Sequence, residues 1–241
     1  MRPLKTETKS EVNFFNIILF LMVNSMCFLG SRSLCHSWFT ITQYVKDLSD
    51  MVILDSLLSQ QDRFGNQHKK AYIYKIEGDK IKKHKVKAAK NSSGKAIGWR
   101  IGIEEKALID QGGVLVQEFL MKDNDCGVKK TNIQMNAKTI EKVRHISPSS
   151  YFRLVKLRTS VQDEQALPVS KRVIENYFKT ELLFTDSDMK SFYSNLEKVT
   201  SSLQKSCKAG LLKLDADVHI QLQRKEAPTY CELDQASATF L

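Results

Sequence analysis

The alternation of apolar and polar positions divides the chain into helical stretches and a strand-rich middle. Over residues 42–59, Tyr44, Leu48, Met51, Val52 and Leu58 recur at helical spacings, with polar Lys46, Ser49 and Ser56 between them. That pattern predicts a helix that stops near Gln60 and Gln61. Asp62-Arg63-Phe64-Gly65-Asn66 then reads as a tight loop, with Gly65 free to take positive φ. Residues 71–76 are rich in β-formers and predict a strand, Glu77-Gly78-Asp79-Lys80 a turn, and 81–86 the returning strand. Asn91-Ser92-Ser93-Gly94 predicts a loop. Gly112-Gly113 precedes a further strand over 114–121, which runs straight into Lys122-Asp123-Asn124-Asp125-Cys126-Gly127. Ser147-Pro148-Ser149-Ser150 is a helix start with proline early. It leads into helical patterns over 151–157, 170–179 and 186–207. The segment after Lys208 is weakly patterned, and the end from Asp234 is expected to fray.

Composition narrows the class. The 241 residues are 42% hydrophobic and 27% charged, enough for a packed core and against global disorder. The formal charge of +10 is partly local, because nine lysines fall between residues 69 and 90 against only Glu77 and Asp79. The plain reading is a lysine-rich hairpin on a solvated, peripheral face; an acidic partner for 69–90 is the functional one. Aromatic and arginine residues do not interleave there, so no nucleic acid is expected. Five cysteines, Cys27, Cys35, Cys126, Cys207 and Cys231, include no C-x-x-C pair, which argues against zinc. Cys207 and Cys231 are one pair that could bridge if the chain is secreted, although the sequence alone leaves the pairing open. Asn91-Ser92-Ser93 is an N-x-S acceptor usable only in the secretory pathway. The five histidines show no ligand spacing.

At the N-terminus, Arg2, Lys5 and Lys9 precede an apolar run over 14–23. This resembles a signal peptide or a short anchor, implying the secretory pathway or a membrane association; the alternative is a buried helix of a cytoplasmic domain.

Two acidic loops carry the candidate chemistry. Phosphoryl transfer needs one carboxylate that orients the attacking hydroxyl, and another that holds the metal ions on the phosphates, often beside an Asn or Gln. Residues 50–63, Asp-Met-Val-Ile-Leu-Asp-Ser-Leu-Leu-Ser-Gln-Gln-Asp-Arg, resemble the helix and catalytic loop of the Golgi casein kinase family and its four-jointed relatives, in which a D-x-x-x-x-D-x-L helix leads into D-R-H. Residues 119–127 resemble the apolar strand ending in that family's metal-binding D-N-G, and Ser149-Ser150-Tyr151-Phe152-Arg153-Leu154 resembles the helix start that follows. The D-R start is also similar to phosphatidylinositol kinases and bacterial HipA kinases. The resemblance covers about residues 45–158. It implies Asp62 as the catalytic aspartate, Asn66 as a cofactor- and metal-binding ligand with Gln67 in the usual fifth place, and Asp125 as the metal aspartate, with Asp123 the alternative. It also implies ATP with magnesium or manganese, and a protein serine as substrate.

The departures from the family are specific. Phe64 stands where the family has His, and Asp125 lies 63 positions after Asp62, a longer spacing than the family's, so 69–113 reads as a basic hairpin insertion. The 61 residues before Asp62 show no glycine-rich loop and no lysine–glutamate pair. Ser92-Ser93-Gly94-Lys95 lacks the phosphate-loop spacing and reads as a turn. The expected architecture is therefore α+β: a mainly helical kinase-like C-lobe over 36–215 with an inserted β-hairpin and most of the nucleotide lobe missing. A signal- or anchor-like segment over 1–35 precedes it, and a tail over 216–241 follows. On this reading catalysis is weak or absent unless a partner completes the site. The competing expectations are an inactive kinase relative that works as a binding module, and an unrelated secreted or membrane-attached interaction protein.

Overall fold

A computed structural model describes residues 32–58, 67–121, 140–162, 168–223 and 225–232. The described residues form an α+β fold with six helices and one four-stranded antiparallel sheet. In chain order these are α1 (Arg32–Leu58), β1 (Gln67–Glu77), β2 (Lys80–Lys90), β3 (Ala96–Arg100), α2 (Ile103–Asp110), β4 (Val114–Met121), α3 (Pro148–Gln162), α4 (Pro168–Glu181), α5 (Asp186–Lys208) and α6 (Val218–Leu222). The chain packs as two compact units. One holds residues 71–116 with the chain up to Ile41; the other holds 42–70 and 117–241.

In the first unit β1 and β2 form the expected hairpin, with Ala71 opposite Val86 and Glu77 opposite Lys80. Gly78, at φ +60°, occupies the first of the two loop positions, where a side chain would be strained. The hairpin is not the peripheral ribbon that its lysines suggested. The sheet order is β3-β2-β1-β4, so both of its strands are central. Ala71, Ile73 and Val86 are buried and pack with Trp99, Leu108, Ile109 and Leu115 into a small core. Lys83, Lys85 and Lys87 occupy positions that alternate with Val86, as the twofold repeat of a strand allows, while Lys75 and Lys82 share its face further along, toward the turn. The loop expected at Asn91 is a turn tied by the Asn91 carboxamide oxygen, which accepts from the Lys95 amide at 2.8 Å.

The second unit is built on one core. Tyr151, Phe152, Leu154 and Val155 of α3 meet Leu196, Val199 and Leu203 of α5, joined by Ile53 and Leu57 of α1 and by Ile146, Leu212 and Leu214. Pro148 sits in the first position of α3, where its missing N–H costs nothing. α5 starts on a capping box, with Thr185 Oγ1 accepting from the Asp188 amide and Asp188 Oδ2 accepting from the Thr185 amide. The buried Asn195 donates to the Leu57 carbonyl at 3.1 Å, satisfying a group that the last turn of α1 leaves open. Cys207 and Cys231 are joined by a disulfide. Beside it the Tyr151 hydroxyl donates to the Cys231 carbonyl, and Tyr230 stacks on Phe152. No helix among the described residues is long and apolar enough to cross a membrane; the signal-like run over 14–23 lies outside them.

Candidate functional site

α1 ends at Leu58, and β1 begins at Gln67, so the stretch holding Asp62 and Asn66 joins these two elements. β4 ends at Met121, and Asp123 and Asp125 follow it. Asp62, Asn66, Asp123 and Asp125 all lie outside the described residues; Gln67 opens β1.

The elements that lead to the two acidic stretches are fixed by a set of contacts within the second unit. Lys69 on β1 places its ammonium 5.5 Å from the Tyr44 ring centre and 5.6 Å from that of Phe119 on β4. Further along, in the first unit, Lys75 donates to Gln111 just before β4 at 2.6 Å. β1 and β4 are neighbouring antiparallel strands. The start of β1, which Asp62 and Asn66 precede in sequence, lies beside the end of β4, which Asp123 and Asp125 follow.

α1 grips that end. Tyr44 stacks on Phe119 with ring centres 4.4 Å apart, and its hydroxyl donates to Gln117 Oε1 at 2.7 Å. One turn further on, Asp47 Oδ2 accepts the backbone N–H of Phe119 at 2.8 Å, while its Oδ1 accepts from Gln43 Nε2 at 2.7 Å. Burial pushes the Asp47 carboxyl up to about 6, against the pull of the Phe119 and Gln43 hydrogen bonds and of Lys46. Burial works against the charge on Lys46, yet Asp50, Asp47 and Asp217 outweigh it and leave the ammonium pKa raised. Lys46 pairs with Asp50 at 2.8 Å.

Further polar contacts hold α1 to the chain on either side of α3. Ser49 donates to the His145 carbonyl at 2.6 Å and Thr42 donates to Gln221; those two stretches are themselves tied by Ser147, which donates to Asp217. His145, one of the histidines with no ligand spacing, is engaged by Asp215 at 2.7 Å. A cavity of about 160 Å³ opens among α3, α4 and α5. Its main cation is committed, since Arg158 grips both carboxylate oxygens of Glu197 and also reaches Gln204. Among the described residues no three His, Cys, Asp or Glu side chains gather as metal ligands.

Asp47 is a residue that the sequence pattern did not single out. An aspartate in mid-helix reads as a solvated position, and its partner Phe119 lies 72 residues away. No protein-family model, no curated protein and no solved structure matches the chain.

Proposed function

We propose that the chain carries the catalytic-loop and metal-loop part of a kinase-like phosphotransferase, which moves phosphate from ATP to a hydroxyl. The observation that supports it most is the shared end of β1 and β4. Asp62 and Asn66 precede the start of β1, Asp123 and Asp125 follow the end of β4, and those two strand ends are neighbours, which suits two groups that act on one phosphate. The donor set suits a hard divalent cation: Asp125 or Asp123 with Asn66 supplies few oxygens and leaves room for phosphate and water. Magnesium or manganese, when bound, neutralises charge on the β- and γ-phosphates. Asp62 would orient the attacking hydroxyl and receive its proton. A protein serine as acceptor follows from the resemblance to secretory kinases. The Cys207–Cys231 bridge supports an oxidising compartment.

The test is a thermal shift with ATP, with and without magnesium or manganese, paired with transfer of labelled γ-phosphate to casein-like acceptors. A metal-dependent shift lost in Asp125→Ala, together with transfer lost in Asp62→Ala, is the expected result. Binding without transfer supports the inactive-relative reading. Absence of metal-dependent nucleotide binding in the wild type refutes the proposal.

One observation favours a second reading. Lys83, Lys85 and Lys87 alternate along β2 and are exposed, and exposed Arg100 stands opposite Lys87 in β3. No carboxylate alternates into these positions on either strand. Such a row fits an acidic protein segment whose carboxylates repeat at about the same strand spacing of two residues. Salt-sensitive binding of a polyglutamate peptide, lost in Lys85→Glu/Lys87→Glu, is its test; equal binding by that variant removes it.

A further inference from the structure

We propose that Asn91 is a modification site, whose carboxamide carries an N-linked oligosaccharide that covers the free edge of the β-sheet. The inference is independent of the phosphotransferase reading and shares with it only the oxidising compartment. Asn91-Ser92-Ser93 is the one Asn-x-Ser/Thr acceptor in the sequence, and its middle residue is not proline. It falls on the turn between β2 and β3, where residues 91–95 are all exposed. Transfer of an oligosaccharide to such a site takes place in the secretory pathway. The Cys207–Cys231 bridge belongs to the same environment, because disulfides form and persist where the surroundings oxidise thiols.

The turn accommodates a sugar without losing its own bonds. The Asn91 carboxamide oxygen accepts from the Lys95 amide at 2.8 Å and from the Ser93 hydroxyl at 2.8 Å. The Asn91 N–H donates to the Lys95 carbonyl at 2.9 Å and closes the loop. Both side-chain bonds use the oxygen, whereas glycosylation uses the nitrogen. That nitrogen attacks the anomeric carbon of an oligosaccharide carried on a lipid pyrophosphate. A C–N bond forms, the bond from that carbon to the pyrophosphate oxygen breaks, and the nitrogen gives up one proton. The carboxamide oxygen remains an acceptor throughout.

The position of the turn gives the sugar a task. β3 follows directly, with Lys90 paired to Ala96. β3 is the edge of the sheet and has β2 as its single neighbour. An edge strand offers N–H and C=O groups to another chain, and proteins blunt it with charge, proline or a cover. β3 is Ala-Ile-Gly-Trp-Arg: it has no proline, its one charge stands at the far end, and Ile97 is 68% exposed. A bulky, hydrophilic group at residue 91 stands beside the otherwise uncharged start of that strand.

The test expresses the full chain in a eukaryotic cell line and reads the mass of the peptide holding residue 91, before and after release of N-linked sugar by an amidase. The wild type should carry the sugar and lose it on treatment. Asn91→Gln and Ser93→Ala should lack it, and Ser93→Thr, which keeps the hydroxyl, should retain it. An unmodified Asn91 in secreted wild type, or a chain kept in the cytosol with Cys207 and Cys231 as free thiols, overturns the site. The second readout is light scattering on heating. The amidase leaves a carboxylate at residue 91, which still accepts from the Lys95 amide, so the turn survives release. Released wild type and Ser93→Ala should both scatter at a lower temperature than the glycosylated chain, and adding Ile97→Lys to Ser93→Ala should reverse that shift. Equal onset with and without the sugar overturns the covering role. Nucleotide binding enters neither readout, so failure of the phosphotransferase reading would leave both results standing.

Discussion

Breaking the Cys207–Cys231 bridge has a calculable effect. The bridge closes a loop with a sequence separation of 24 between the end of α5 and the last described stretch. A closed loop of that length removes about 3.5 kcal/mol of chain entropy from the unfolded state. Reduction should therefore lower unfolding stability by about 3.5 kcal/mol, within a range of about 2–4. For a chain of this size that corresponds to roughly 7–14 °C in melting temperature. The contacts around the bridge add a local signature. The Tyr151 hydroxyl bond to the Cys231 carbonyl and the Tyr230 ring on Phe152 are held in place by the crosslink. Reduction should raise proteolytic nicking in residues 225–232 before the core opens. The assay is denaturant unfolding with and without dithiothreitol, on wild type and on Cys207→Ala/Cys231→Ala. The double variant should match reduced wild type and ignore the reductant. Equal midpoints for oxidised and reduced wild type, with the bridge verified by mass, would refute the reasoning.

Three further outcomes follow from the packing and the charges. Gly113→Ala should destabilise by about 1–3 kcal/mol in thermal or denaturant unfolding, because its Cβ would lie 2.7 Å from both Ile73 Cγ2 and the Leu108 carbonyl oxygen. Thr185→Ala, which removes the side-chain cap of α5, should cost about 1 kcal/mol by the same measurement. Asp47 titrates at about 6 when folded, above its unfolded value of 3.8, so between these values the native state holds more protons. Stability should fall as pH rises through that window. Asp47→Asn should abolish that slope, by about 1–2 kcal/mol after allowance for partial exposure, in unfolding curves taken at pH 4 and pH 7.

The sequence made the long elements legible. Helical spacing marked the second half of α1, proline and serine marked α3, and β-branched and aromatic residues marked β1, β2 and β4. The start of α1 at Arg32 was not legible, because residues 32–35 follow an apolar run and read as part of a signal-like segment. β3 and α2 were missed for a physical reason. β3 is five residues long with Gly98 inside it, and α2 is eight residues long with no buried side chain, so neither shows a full period. The hairpin was found, but its burial was not, since Ala71, Ile73 and Val86 are few among many lysines. The candidate site is legible only as two separate acidic loops. The pairing of β1 with β4 and the grip of Tyr44 and Asp47 on Phe119 depend on contacts between residues far apart in sequence, which local patterns do not encode.

The shared end of β1 and β4 also bears on how the chain reaches its folded form. Gln67 and Met121 are 54 residues apart, so direct encounter of those ends carries a closure cost about 2 kcal/mol greater than that of a five-residue loop. The chain between them offers a stepwise route. β1 meets β2 across two residues, β2 meets β3 across five, and α2 with Gly112 and Gly113 turns the chain back toward β1. Each step is a short-range closure, which favours rapid formation. The lysine-rich middle of the chain thus acts as a zipper: once it has closed, β4 is delivered alongside β1. Lengthening the turn between β2 and β3 should slow refolding without moving the far ends of the strands.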